Sequence, residues 1–101
     1  MDASQRGEII RKFSDLLLRD AKYLAELESL DNGAVLNTAQ GFVKSAVNSA
    51  RYIAACADKI QGDTLSADGE VFSYTLMQPV GVCGLIVPWN GPIFIFINKV
   101  C

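Results

Sequence analysis

The stretch Val87-Pro88-Trp89-Asn90-Gly91-Pro92 lies between two apolar runs that predict different secondary structure. Before it, Val80 to Val87 is rich in β-branched residues and almost continuously apolar, which is typical of a strand buried on both faces in a parallel sheet. After it, Ile93 to Val100 predicts the opening turns of a helix, because Pro92 suits the first helical position. Open α/β enzymes bind their ligands just past the carboxyl end of a parallel strand. The stretch therefore predicts an α/β fold and the place of a site.

Two helical patterns precede this stretch. Apolar residues recur at three- and four-residue steps from about Ser4 to Leu30, which predicts one amphipathic helix. Asp2 followed by Gln5 fits a capping-box start, and Asn32-Gly33 supplies a left-handed stop. A second helix is predicted from about Val35 to Ile60. Its apolar face carries small residues that would let another helix approach closely, namely Ala46, Ala50, Ala54 and Ala57.

After the second predicted helix, apolar residues recur at every second position instead of every third or fourth. Alternation over residues 71–77 predicts a strand, and Asp68-Gly69 ahead of it suits a tight hairpin turn. A strand that is buried on both faces, such as the one predicted for Val80 to Val87, needs parallel strands beside it. The chain contains no second segment that is predicted to be such a strand. The helix after Pro92 also has no capping residue at its end. We therefore expect a fragment of a longer enzyme.

Composition excludes several classes of function. The chain has 101 residues, half of them hydrophobic, a net charge of −2 and no histidine. The lack of histidine excludes His-based acid–base catalysis and most zinc sites, so no metal is predicted. The sequence has no stripe of basic residues, so nucleic-acid binding is not predicted. The Pro-Trp-Asn-Gly-Pro interruption divides the apolar residues 80–101 into pieces shorter than the roughly 20 residues that span a bilayer, so no membrane partner is predicted.

The cysteines indicate a reducing environment. Cys56, Cys83 and Cys101 form no Cys-x-x-Cys pair, and their number is odd. The first turn lacks the basic start and apolar core of a signal peptide. We therefore expect a cytoplasmic protein, with a mitochondrial location open if a targeting segment precedes Met1. Cys83, inside the predicted strand, is expected to be an inert buried thiol.

Four stretches of the chain resemble the NAD(P)-dependent aldehyde dehydrogenase family. Met1 to Gly7 is similar to the family's early helix start, and Leu30 to Gly33 to its first helix stop. Arg51 to Lys59 is similar to the end of the second helix, and Pro79 to Asn90 to the strand and turn that meet the cofactor. The Pro-Trp-Asn turn is the most specific of these features. The resemblance extends to the cytosolic and mitochondrial tetrameric members.

The resemblance implies three functional regions in one partial aldehyde dehydrogenase domain. Residues 1–62 would be a helical cover, and residues 63–78 the antiparallel strands of an oligomerisation arm. Residues 79–101 would be the first strand and helix start of a Rossmann-like cofactor domain. The longer parent protein would be a homo-oligomer, either a dimer or a tetramer.

The resemblance also implies a reaction. An aldehyde would be oxidised to a carboxylic acid with NAD or NADP, through a cysteine thiohemiacetal and a thioester. None of the three cysteines matches the family's nucleophile, and the general-base glutamate is absent, so the 101 residues alone are expected to be inactive. Asn90 would donate a hydrogen bond from its carboxamide to the developing oxyanion. The residues alone favour the alternative in which Asn90 is a helix N-cap, and a capping contact could coexist with the donor role.

The remaining candidates surround Asn90. By resemblance Ile86, Val87, Pro88 and Trp89 form the wall that holds the adenosine half of the cofactor; the alternative is that they are core or packing residues. Lys99 resembles a family lysine assigned to a proton path, because a partly buried lysine can relay protons. The alternative for Lys99 is a solvated side chain or a structural ion pair.

Three further expectations complete the interpretation. Gly91 stands where the family usually carries an aromatic residue, so a wider substrate entrance is expected. A rival function is a non-catalytic, truncated chain that associates with full-length dehydrogenase subunits by adding the strand Phe72–Met77 to a sheet edge. A third hypothesis, a membrane-associated helical protein, depends on residues 80–101 alone.

Overall fold

The structure is a computed structural model that describes residues 1–101, and three of its four helices pack on the fourth. Helix α3 is the central element, and α1, α2 and α4 each contact it. The one sheet is a two-stranded antiparallel hairpin. No helix combines the length and the hydrophobicity needed to cross a bilayer. The elements are α1 (Ala3–Arg19), α2 (Ala21–Asn32), α3 (Leu36–Cys56), β1 (Thr64–Leu65), β2 (Ser73–Tyr74) and α4 (Pro92–Val100).

Both predicted helix signals at the start of the chain are confirmed. The backbone N–H of Asp2 donates to Gln5 Oε1 at 3.1 Å, which is the reciprocal half of a capping box. Gly33 ends α2 with φ 75° and ψ 10°, in the left-handed region where glycine carries no Cβ penalty. The sequence therefore located the outer limits of this helical stretch.

The prediction of one unbroken first helix was wrong, because the stretch is divided at Asp20. Asp20 has φ −97° and ψ 13°, outside the helical region, and it separates α1 from α2. Aspartate competes with the helical backbone for hydrogen bonds and disfavours helix interiors. The bend allows α1 to pack on one half of α3 and α2 on the other. Hydrophobic periodicity did not reveal the break since it continues across Asp20.

Helix α3 supplies most of the core. The small side chains predicted for close approach are confirmed there, because Ala46 and Ala50 are fully buried. They pack with Leu17 of α1 and Ile97 of α4 in one cluster. A second cluster joins α2 to the first half of α3 through Ala25, Ala39 and Val43. The core is therefore a set of helix–helix contacts without a contribution from a sheet.

Helix α3 ends at Cys56, four residues before the predicted end at Ile60. The N–H of Lys59 donates to the carbonyl of Cys56 at 2.9 Å, which tightens the chain into a turn. The Lys59 ammonium also donates to the carbonyl of Ala55 at 2.6 Å. These two bonds satisfy carbonyls that the helix end leaves without partners, so the helix stops here.

The strand predicted over residues 71–77 is confirmed only at its centre. Thr64 pairs with Tyr74 and Leu65 with Ser73 in an antiparallel register. Gly69 has φ 83°, as a turn glycine should, but seven residues separate the strands, so the connection is not a tight two-residue turn. A two-stranded hairpin with exposed faces has little to stabilise it beyond these pairs, which explains the short strands.

The strand predicted over Val80–Val87 is absent, and the start of a Rossmann-like sheet is not confirmed. The chain is irregular there, and the side chains of Val80 and Val82 are 95% and 106% exposed. A doubly buried parallel strand requires neighbouring strands and covering helices, and the only sheet of the chain is β1–β2. Cys83 is exposed for the same reason, so the expectation of a buried thiol was wrong. The described chain is mostly helical, with one small antiparallel sheet.

Candidate active site

The predicted junction between the apolar segment and a helix is present at α4. Pro92 occupies the first turn of α4 as predicted, and the N–H of Ile95 donates to the carbonyl of Gly91 at 3.1 Å. The cap position is therefore Gly91, and no side chain of the cap residue bonds the helix. The alternative interpretation of Asn90 as the N-cap is wrong. Its carboxamide is exposed at the turn, with a donor available to a ligand.

The four residues predicted to hold the cofactor form an apolar surface that is open to solvent. Ile86 is 87% exposed and Trp89 is 78% exposed, while Val87 is half-buried. The alternative in which Ile86 is a core residue is therefore wrong for this chain, and Trp89 is not a packing anchor. Such a surface is chemically suited to cover the flat, apolar faces of a bound molecule.

Lys99 is brought into contact with this surface. Its ammonium donates to the carbonyl oxygen of Ile86 at 2.6 Å, across thirteen residues of sequence. Lys99 lies in the last turn of α4 and is exposed. The contact ties the irregular segment back onto α4. It also uses one of the two lone pairs of the Ile86 carbonyl oxygen.

Glu28 lies directly behind the turn, although no sequence pattern assigned it to the site. Its side chain is buried, with 5% of the residue exposed. Oε2 accepts from the backbone N–H of Ile93 at 3.2 Å, and Oε1 accepts from Asn32 Nδ2 at 3.3 Å. Burial raises the pKa of Glu28, and the hydrogen bond from Ile93 opposes this rise. The missed signal is positional, because Glu28 falls one turn after Leu24 on the apolar face of α2.

An open cavity of about 460 Å³ separates α2 from the turn. Leu24 and Glu28 line it on the α2 side, and Val87, Ile93 and Phe96 line it on the other. Its wall therefore combines apolar surface with one buried carboxylate. Val87 is the one residue of the predicted cofactor wall that lines this cavity, so the cavity adjoins the wall at Val87.

The whole chain is similar in sequence to a known protein family. The sequence profile of the Aldehyde dehydrogenase family matches residues 1–101, the whole chain. The chain belongs to the aldehyde dehydrogenase family. Aldehyde dehydrogenase, cytosolic 1 of Rattus norvegicus is 45% identical over 101 residues, covering 99% of this chain and 20% of that protein. The protein of the same name in Elephantulus edwardii is 48% identical over 101 residues.

The fold of this aldehyde dehydrogenase family member is shared with a solved structure. A crystal structure of an aldehyde dehydrogenase from Burkholderia cenocepacia superposes with a TM-score of 0.86 at 34% sequence identity. The superposition covers 96% of this chain and 20% of that chain. The chain thus spans about a fifth of the length of the relatives it matches.

Gly91 completes the turn before α4 in this aldehyde dehydrogenase family member. The residue is buried, and a Cβ atom at this position would lie 4.0 Å from Cε2 of Phe42 on α3. That distance is an ordinary van der Waals contact, so a Cβ atom would fit beside the Phe42 ring.

Proposed function

We propose that this chain is part of an aldehyde dehydrogenase that oxidises an aldehyde to a carboxylic acid with NAD or NADP. The observation that carries the proposal is the family match over all 101 residues, which includes the Pro-Trp-Asn turn. The exposed carboxamide of Asn90 at the start of α4 supports it. Which aldehyde is oxidised depends on residues that line the substrate channel, and Gly91 is the one candidate here.

Asn90 is the proposed oxyanion donor. When a nucleophile attacks an aldehyde, negative charge develops on the carbonyl oxygen, and a fixed N–H donor aimed at that oxygen lowers the barrier. A carboxamide suits the role because it donates a hydrogen bond without titrating. Asn90 is exposed, and the helix behind it begins two residues later. The side chain therefore has a free donor on a backbone that the helix holds.

The proposed cofactor wall consists of Ile86, Val87, Pro88 and Trp89. Their exposed apolar surface fits the adenosine half of NAD or NADP, which needs a flat, dry face. The nicotinamide, when bound, accepts the hydride that leaves the substrate. The residues of this chain would orient the cofactor and exclude water from it.

Lys99 is the proposed proton relay. Its ammonium carries three donor hydrogens, and the contact with the Ile86 carbonyl uses one of them. The other two are available to water or to a neighbouring group. Lys99 would therefore pass a proton along the back of the cofactor wall while its position is fixed by Ile86.

The wider assembly follows from the same family membership. We propose that residues 1–62 form a helical cover, 63–78 an oligomerisation arm and 79–101 the start of the cofactor domain. The parent protein would be a homo-oligomeric dimer or tetramer. The relatives are named as cytosolic, which supports a cytoplasmic location.

The proposed function is tested with a chimera. The segment of the rat cytosolic relative that matches this chain is replaced by residues 1–101, and reduction of NAD and of NADP is followed with a panel of aldehydes. We expect turnover by the chimera and none by the 101 residues alone. Asn90→Ala should lower kcat on the order of 10²–10³-fold. Asn98→Ala is the matched control, because its amide bonds only the Phe94 carbonyl within α4. A folded chimera without turnover would contradict the proposal.

A second candidate function is association without catalysis. The hairpin favours it, because one edge of β2 is unpaired and the exposed apolar side chains of Phe72, Leu76 and Met77 flank that strand. Such a chain would add a strand to the sheet edge of a full-length dehydrogenase subunit. Co-purification of the tagged 101 residues with a full-length relative is the test. Loss of that complex in Phe72→Lys would support the function, and absence of any complex would exclude it.

A further inference from the structure

We infer that Glu28 is a positioning residue of the candidate active site, because its carboxylate fixes the first turn of the helix that follows Asn90. The inference rests on the proposed function only in that Asn90, as an oxyanion donor, needs a fixed orientation. The hydrogen bonds that carry it are independent of any reaction.

The first step is the bond at the start of α4. Ile93 is the second residue of that helix, so its N–H is one of the four that no helical carbonyl can reach. Gly91, in the cap position, has no side chain with which to accept it. Glu28 Oε2 accepts it instead, from a residue 65 positions away in the sequence. A carboxylate at a helix N-terminus is favoured by the helix dipole and makes a charge-assisted hydrogen bond.

The second step is that Glu28 is itself held. Its other oxygen accepts from Asn32 Nδ2, and Asn32 Oδ1 in turn accepts from the N–H of Ala34 at 2.8 Å. Ser29 donates to the carbonyl of Ala34 at 2.6 Å. These bonds form a continuous path from the end of α2 to the start of α4. The start of α4 is therefore tied to a rigid element, as a site that must be placed within about 0.5 Å requires.

The third step concerns the free energy required to bury the Glu28 carboxylate. No ion pair in the structure includes Glu28, and Asp31 is the other charged residue that lines the same cavity. A buried carboxylate without a cation is expensive. An apolar side chain would fill the same place beside Leu24 at lower cost. The contribution of Glu28 is therefore orientation of α4, and its burial opposes stability.

The test uses nuclear magnetic resonance on the full chain. In Glu28→Ala we expect hydrogen exchange at the Ile93 amide to accelerate on the order of tenfold or more, as for loss of a hydrogen bond to a charged group. The Asn90 side-chain amide signals should shift in the same variant. In Glu28→Gln, the Ile93 exchange rate and the Asn90 signals should stay close to those of the unaltered chain, because the glutamine amide oxygen still accepts the hydrogen bond. Glu26→Ala is the matched control, since Glu26 is exposed on the same helix.

Two results would overturn the inference. One is unchanged Ile93 and Asn90 signals in a folded Glu28→Ala variant. If that variant does not fold, the pH titration of the Ile93 amide in the unaltered chain decides. We expect the Ile93 amide signal to shift with pH as the Glu28 carboxyl titrates, and this shift to vanish in Glu28→Gln. An Ile93 amide signal that does not change with pH would contradict the hydrogen bond. In the chimera, Glu28→Ala should lower kcat more than it raises KM. An inactive chimera would remove the proposed function but leave the amide result standing.

Discussion

The four helices and the segment between α3 and α4 are each about half apolar, yet only the helices bury their apolar residues. All 12 buried residues lie in helices or at Gly91, and none lies between residues 57 and 90. A helix satisfies its own backbone and needs only one apolar partner, which α3 provides for each of the others. A strand needs a partner for its backbone as well. Residues 80–87 have none in this chain, so their hydrophobicity stays on the surface.

The largest expected effect compares one residue type in the two regions. Ile97 is 1% exposed in the cluster with Ala46 and Ala50, whereas Ile86 is 87% exposed. Ile97→Ala should lower the free energy of unfolding by about 2–5 kcal/mol, and Ile86→Ala should change it by no more than about 0.5 kcal/mol. Urea denaturation followed by circular dichroism measures both.

If Ile97→Ala prevents folding altogether, Ile97→Val replaces it, with an expected loss of about 0.5–1.5 kcal/mol. Equal losses in the Ile97 and Ile86 variants would contradict the distinction between a packed and an unpacked region.

The same distinction explains what the sequence could predict about the fold. The capping box at Asp2, the stop at Gly33 and the proline start of α4 at Pro92 depend on residues within one turn, and all three are confirmed. The irregular segment 80–87 depends on tertiary partners, and the break at Asp20 is hidden because the periodicity continues across it. Periodicity reports a preference for burial, and it does not report whether a partner is present.

The candidate site divides along the same line. The turn that presents Asn90 was located from local chemistry, namely an apolar run followed by proline. Glu28 could not be assigned to it, because its bond to Ile93 spans 65 residues. The contact between Lys99 and the Ile86 carbonyl is also non-local and was not predicted. Sequence patterns predicted the segment that we propose meets a ligand, and the contacts that hold this segment required the structure.

The next prediction concerns the closeness of the helix packing. A Cβ atom added at Gly7 would lie 2.8 Å from the carbonyl oxygen of Ala54 and 3.3 Å from Cβ of Ala57. Because the first contact is with helix backbone, Gly7→Ala should lower the free energy of unfolding by about 1–3 kcal/mol, despite the better helix propensity of alanine.

Gly41→Ala provides the control for Gly7→Ala. Gly41 lies in α3 with nothing within 4 Å of an added Cβ atom. The substitution should therefore raise stability by about 0.5–1 kcal/mol through helix propensity alone. Thermal unfolding of the two variants measures the difference, and a gain in both would contradict the tight approach of α1 to α3.

A smaller effect is expected from pH, through the buried carboxylate of Glu28. Its pKa is raised above the ordinary value of 4.5 by burial. Folding therefore favours the protonated form, and the stability contributed by this group is fully present below pH 4.5 and lost as the pH rises through the raised pKa. We expect Glu28→Gln to remove that loss.

The measurement for Glu28 is the difference in unfolding free energy between the chain and Glu28→Gln across this pH range. Exposed acids such as Asp20, whose pKa is lowered by Arg19, have the opposite dependence and cancel in the difference. A difference that does not change with pH would indicate that Glu28 is solvated.

The smallest effect concerns chemical reactivity and separates the two regions without altering the chain. Cys83 lies in the irregular segment and is exposed, whereas Cys101 follows α4, is half-buried and has its pKa raised by burial. The thiolate is the reactive form, so Cys101 should be alkylated several-fold more slowly than Cys83 at pH 8. Mass spectrometry of peptides after brief iodoacetamide treatment resolves the two sites, and unfolding in urea should abolish the difference. If Cys83 were the slower site in the folded chain, residues 80–87 would be covered in solution, and the segment would have found the strand partner that its sequence requires.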